Sequence, residues 1–469
     1  MKSAVLEPTL EAYEAIEERK FRVTRSGPIV IPHPIPIPLP LLQGSRFLIW
    51  KQDPSVGEPG LRIHYVPTYT YSGPKDARIT TELPGTTPVS KNAQGDFIFA
   101  LNSPELDCAH TFAIVRDTLT MYQRVRGGAQ IPWAWNVGGN TDTLVAYPRA
   151  GVTANAYYSR AQKSLKFFYF TPTGASAPVY TCRSLDIVAH ETGHAVLDGL
   201  KPGWLAGGNP PQTGGLHESF GDLTAIFLAL SQLDQVEAAI ALTKANLHDK
   251  NFLAALAEQF GSALGLPQGL RNADNDLKLS QVGNEVHAIS QVFTGGIYDV
   301  LADIFAFEKN RQAGVKDPAR VLLEVGAHLC KLLITAIEAA PASAATYADV
   351  VNQMLVASHA AGDPVVYRTY IRNRFTYREV VVSPTPLTSH AQGRMSYTDP
   401  SFVEGEDLLK MTAHKHDADH APQNRAACCG TMQRTEFMLA DAKLMLTGKA
   451  LTEEDRLNKD RAEIAKAFK

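Results

Sequence analysis

The stretch DIVAHETGHAVLDGL, residues 186–200, constrains this chain more than any other. His190, Glu191 and His194 sit inside an otherwise apolar run of Ile187, Val188, Ala195, Val196 and Leu197. That run has the spacing of a buried helix, and a buried helix carries two imidazoles and a carboxylate only if each finds a partner. In a helix, residues four apart share a face, so His190 and His194 can direct two ring nitrogens at one point. Glu191 lies about 100° further round. From there it can touch a water on a metal held by the histidines, but it is badly placed to be a third ligand. Two explanations stand at this point: a zinc site, or a core helix whose polar groups are satisfied by neighbours.

The rest of the chain narrows the setting. Its 469 residues give room for two to four domains, and 45% hydrophobic against 20% charged content is an ordinary globular balance. A net charge of −3 and a pI near 6.5 do not point to nucleic acid or an anionic membrane as partner. The longest apolar stretch, LTAIFLALSQL at 223–233, is broken by Ser231 and Gln232, so no integral membrane span is expected. The N-terminus lacks the apolar core and small-residue cleavage site of a secretory signal. The five cysteines (Cys108, Cys182, Cys330, Cys428, Cys429) are odd in number and lack framework spacing. Together these predict a reduced, cytoplasmic setting, with export by a route that needs no cleaved signal left open.

Along the chain, residues 1–44 read as a short charged helix, around 8–20, followed by the proline-rich strip SGPIVIPHPIPIPLPLLQG. That strip can be neither helix nor central strand. It reads as an extended connector packed on a domain surface, with a polyproline ligand for some partner as the sharper alternative. Residues 45–200 are expected to form a β-rich segment ending in the histidine helix. FLIW, LRIHYVPTYTY and DFIFAL supply short aromatic and β-branched runs. SPELDCAHTFAIVRDTLTMYQRV, 103–125, is a helix with Ser103 as N-cap and Glu105 and Asp107 in its first turns. VTANAYYSRAQKSLKFFYF, 152–170, alternates like a hairpin or edge pair. Residues 201–364 are dominated by helical patterns. Residues 365–469 are expected as a partly flexible extension, polar and β-like to about 400 and charged beyond. HKHDADH at 414–420 with Cys428 and Cys429 is a metal-binding candidate there, against a solvated tail as the plainer reading.

A catalytic zinc needs three protein ligands and one open position. GGLHESFGDLTAIF, 214–227, supplies a second helix with Glu218 and Asp222 four apart. Glu218 can coordinate the metal, while Asp222, one turn on, can accept the free ring N–H of a ligand histidine and hold its tautomer. His217 competes as ligand but points about 100° away from Glu218. A solvated acidic face fits poorly with the flanking Leu216, Phe220 and Leu223.

HETGH followed by Glu-x-x-x-Asp on the next helix resembles the gluzincin metallopeptidases, and specifically the thermolysin-like family. SLDIVAHETGHAV resembles that family's zinc helix, and ELDCAHTF the start of a long helix in its N-terminal lobe. NAYYS at 155–159 resembles the edge strand that holds substrate backbone. Leu270-Arg271 resembles a substrate clamp, and the segment GNEVHAIS resembles one that presents a transition-state histidine. These segments lie in the family's order along roughly 105–310.

The resemblance implies an α+β fold of two lobes, β-rich and then helical, with an active-site zinc between them. It implies hydrolysis of peptide bonds beside apolar residues. His190, His194 and Glu218 would bind one Zn²⁺, with Asp222 behind them. Glu191 would move the proton and His287 would stabilise the oxyanion. Arg271 would grip a carbonyl of the substrate, Asn155 and Ala156 would align the peptide as an added strand, and Ile187 and Leu270 would line an apolar pocket.

Departures are visible. The loop LKPGWLAGGNPPQTGG has no tyrosine for the family's second oxyanion donor, and the indole N–H of Trp204 is the candidate substitute. The aspartate partner of the family's catalytic histidine has no clear equivalent, although Glu285 is near. Asp186 matches a calcium ligand, but the apolar run AIFLAL replaces a carboxylate expected after Asp222, so calcium is not expected. Two rivals to the endopeptidase remain: a catalytically weak zinc-binding module for peptides or proteins, and a zinc hydrolase acting on one dedicated partner.

Overall fold

The computed structural model describes residues 44–56, 60–263 and 269–380. The helix expected around 8–20, the proline-rich strip through residue 43, and the charged tail with its His/Cys cluster lie outside the described residues. What is described is mixed α+β.

Strand β1 (Ser45–Trp50) pairs antiparallel with β2 (Leu61–Val66). Alternation puts Ser45, Phe47 and Ile49 inside. Phe47 stacks on Phe97 at 4.9 Å and on Phe112 at 5.6 Å, so the strand is held by ring packing. The DFIFAL run forms no strand of its own: Phe97 makes a single bridge to Phe47. β3 (Ile79–Thr81), β4 (Leu144–Tyr147), β5 (Ala156–Ser159) and β6 (Ser164–Phe167) form a sheet in the order β3-β4-β6-β5. β5 and β6 are the antiparallel hairpin the alternation predicts, which leaves β5 at the sheet's edge. Two small antiparallel pairs follow, β7 (Tyr169–Phe170) with β8 (Val179–Tyr180), and β9 (Ala255–Leu256) with β10 (Arg271–Asn272).

The helices are α1 (Pro104–Val125), α2 (Leu185–Leu200), α3 (Pro211–Leu230), α4 (Leu233–Thr243), α5 (Glu258–Ala263), α6 (Val286–Arg311), α7 (Pro318–Ala339), α8 (Tyr347–Ala360) and α9 (Val365–Tyr377). α1 starts as expected: Ser103 Oγ accepts from the Leu106 N–H at 3.1 Å, with Pro104 at the first helical position. α3 packs against both α2 and α6 and is buried from Thr213 to Leu230. Among the described residues, no single helix is long and apolar enough to cross a membrane.

One expectation fails. Residues 365–377, expected as the polar, β-like start of the extension, form α9. Val366, Tyr367, Tyr370, Ile371, Arg374 and Phe375 are buried at helical spacing, and burying that face outweighs the strand preference of the individual residues. The start of the expected extension is thereby built into the core.

Candidate metal centre

α2 begins at Ser184, whose Oγ caps the Ile187 N–H, and is buried from Leu185 to Asp198. Its apolar flanks hold the helix against α1, α3 and β5. Glycines then decide how close α2 and α3 come. A Cβ on Gly221 would lie 2.6 Å from atoms of the His190 ring, and one on Gly193 would lie 2.5 Å from Thr224 Oγ1 and 3.2 Å from Gly221 Cα. Glycine is disfavoured inside helices, so its presence in both helices at the crossing reflects this close approach.

The approach sets three imidazoles around one carboxylate. Glu218 Oε2 is 3.5 Å from His190 Nε2 and 3.4 Å from His287 Nε2, and Oε1 is 3.6 Å from His194 Nε2. Each ring is held from behind through Nδ1: His190 by Asp222 Oδ1 at 3.0 Å, His194 by His217 Nδ1 at 3.1 Å, and His287 by Glu285 Oε1 at 2.7 Å. A ring that donates Nδ1–H to a carboxylate keeps its Nε2 lone pair for a ligand.

His190 Nε2, both oxygens of Glu191, both oxygens of Glu218 and His287 Nε2 are buried without a hydrogen-bond partner. Such atoms are costly unless something else meets them. The separations of Glu218 from His190 and His194 are long for hydrogen bonds, yet near the roughly 3.3–3.4 Å expected between ligands of a tetrahedral ion with bonds of about 2.0–2.1 Å. His190, Glu191 and His194 also offer ligand atoms all within 4.8 Å of one another, a group able to hold a metal. The donor set fits zinc.

Charge follows the same geometry. Burial disfavours a charged His190, but Asp222 and then Glu218 outweigh it and push its pKa up to about 9. Burial, with the Glu218 charge adding to it, pushes Glu191 up to about 7, against the pull of His190 and the Tyr158 backbone N–H. Burial opposes ionisation of Glu218, yet His287, His194 and His190 hold it well below the usual carboxylate range.

The other expected residues fall as follows. Arg271, on β10, grips Asp222 through Nη2 to Oδ1 at 2.6 Å and Nε to Oδ2 at 3.0 Å, so Asp222 joins it to His190. Ala156 opens the edge strand β5, and Asn155 Oδ1 accepts from the Ala156 N–H at 2.9 Å. Asn155 C=O accepts from the Phe168 N–H at 3.1 Å, so antiparallel alternation turns the Ala156 carbonyl away from β6, toward the open edge.

Trp204 corrects an expectation. It is fully buried and its Nε1–H donates to the Pro341 carbonyl at 2.8 Å, which removes it as an oxyanion donor. His217, considered only as a rival ligand, is the ring partner of His194. Glu285, noted only as near, is the partner of His287 and also caps α6 by accepting from the N–H groups of His287 and Ala288. Asp186 does not stand alone. Its Oδ2 accepts from the Ala257 N–H at 3.2 Å, and burial, then the charges of Asp53 and Glu258, push its carboxyl up.

No family model matches the chain, and no curated protein matches it. Among solved structures it is similar to the precursor of protealysin, a metalloproteinase from Serratia proteamaculans. The identity is 14%, the match covers 65% of this chain and 85% of that one, and the TM-score is 0.39.

Proposed function

We propose that the protein is a zinc-dependent metallopeptidase of the thermolysin-like kind, two-lobed, cutting peptide or protein substrates beside apolar residues. The observation that carries this is the convergence of buried, unpartnered atoms of His190, Glu191, Glu218 and His287 on one point. His190, His194 and Glu218 would hold the ion, their rings and carboxylate oriented from α2 and α3. Zinc bound there lowers the pKa of a coordinated water and polarises a carbonyl.

The chain's own groups do the rest. Glu191, with a carboxyl held near neutrality, takes a proton from the attacking water and delivers it to the leaving nitrogen. His287, whose pKa rises against burial through the Glu218 charge and then Glu285, acts with both ring nitrogens protonated: Nδ1–H donates to Glu285 and Nε2–H points toward the oxygen on which charge develops. Asp222 fixes the His190 ring and anchors Arg271 beside it. The β5 edge offers the Ala156 carbonyl to an extended peptide.

A second reading has its own observation. His287 Nε2 lies as close to Glu218 as the His190 nitrogen does, so four protein ligands would close the site and give a zinc-holding module without turnover. Zinc content of His287→Ala separates the two: the peptidase keeps its zinc in this variant and the closed site loses affinity. Loss of zinc from Glu191→Gln, with Glu218→Gln still loaded, would reverse the roles given to the two glutamates.

A further inference from the structure

A second set of converging ligands lies apart from His190. His248, Asp274 and Asp299 each offer one ligand atom, all within 4.8 Å of one another. His248 follows α4, Asp274 follows β10 and Asp299 lies inside α6, so the fold brings three distant segments together here. His248 Nδ1 is 2.8 Å from Asp274 Oδ1. Asp299 Oδ2 accepts from Arg378 Nη2 at 2.8 Å and lies 3.5 Å from Arg374 Nη1. Asp299 Oδ1, by contrast, has no hydrogen-bond partner, although the residue is fully buried.

The place is rich in charge. The carboxylates of Asp274, Asp276, Asp299 and Asp303 act on His248 and Arg374. Arg374 and Arg378 both pair with Asp299, and Arg374 also pairs with Asp303. Asp303 shows the crowding. Burial and the Asp299 charge push its carboxyl up although Arg374 donates to both of its oxygens. A buried bare carboxylate oxygen, a second carboxylate and an imidazole in one place call for a cation.

We propose that His248, Asp274 and Asp299 form a second metal site, separate from the His190 centre, that takes a borderline divalent cation of the zinc type. The imidazole argues against calcium and magnesium, which favour all-oxygen shells, and the lack of a thiolate argues against soft ions. The ion would tie the loop after α4 and the segment after β10 to α6. Asp274 is three residues beyond Arg271, so the cation would also anchor the strand that carries Arg271 to Asp222.

Zinc stoichiometry tests this on the full chain, stripped with chelator, reloaded with zinc alone and desalted before elemental analysis. Wild type should hold two zinc ions per chain, and His248→Ala one. The His190→Ala/His194→Ala double variant, which leaves the second set intact, should also hold one, and adding His248→Ala to it should remove that one. A wild type that holds a single zinc, lost in the double variant, overturns the second site and leaves the His190 centre standing. One zinc lost only through His248→Ala would do the reverse. If His248→Ala fails to fold, the wild type and the double variant still decide the question.

Discussion

Glu191 is fully buried, with neither oxygen hydrogen-bonded, in a pocket that pushes its carboxyl up to about 7. Glu191→Gln keeps the shape and removes the proton acceptor. It should retain wild-type zinc by elemental analysis and lose about 10²–10⁴ in kcat. His287→Ala should keep the metal and lower kcat by about 10²–10³ with little change in KM, the pattern of a contact made only in the transition state. Trp204→Phe should leave kcat unchanged and lower Tm, because it forfeits a buried hydrogen bond to Pro341 worth about 1 kcal/mol. Side chains whose placement depends on spacing along one helix could be read from sequence: His190 with His194, and Glu218 with Asp222. Those whose partners lie elsewhere could not. Nothing local announces that Trp204 meets Pro341, or that His217 Nδ1 meets His194 Nδ1.

At the scale of elements, the centre depends on how closely α2 and α3 cross. Gly221→Ala would improve intrinsic helix propensity by roughly 0.5–1 kcal/mol. It would also drive a methyl to within 2.6 Å of the His190 ring, whose Nδ1 bond to Asp222 leaves it little room to retreat. We expect this variant to fold and to bind zinc much more weakly, a loss visible in competition with a chromogenic chelator. Unchanged affinity would mean that the helices separate easily. The cap of α2 by Ser184 appears only in the structure, whereas the start of α1 was legible because Ser103 is a capping residue ahead of a helical pattern. α9 was not: its β-branched and aromatic residues look strand-like until the partners of its buried face are known, among them Asp303 for Arg374 and Asp299 for Arg378.

For the molecule as a whole, acid stability should report on His110. Its Nδ1 accepts the Trp50 N–H at 3.2 Å, and burial, then the charge of Arg183, push its pKa down to about 3. The unfolded chain takes up a proton near pH 6.5 that the folded chain refuses. This group's contribution is therefore complete above about 6.5 and falls by up to about 1.4 kcal/mol per pH unit as pH drops toward 3. His110→Gln keeps an acceptor without a titrating ring, so Tm measured from pH 7 to 4.5 should fall less steeply in the variant than in wild type. The functional assignment is tested most directly by cleavage of a mixed peptide library, read by mass spectrometry, with zinc-loaded wild type beside Glu191→Gln at equal zinc content. New termini beside apolar residues are expected from wild type, abolished by chelator, restored by zinc and absent with the variant. Equal cleavage by both proteins, or none by wild type with its metal in place, would contradict the peptidase assignment.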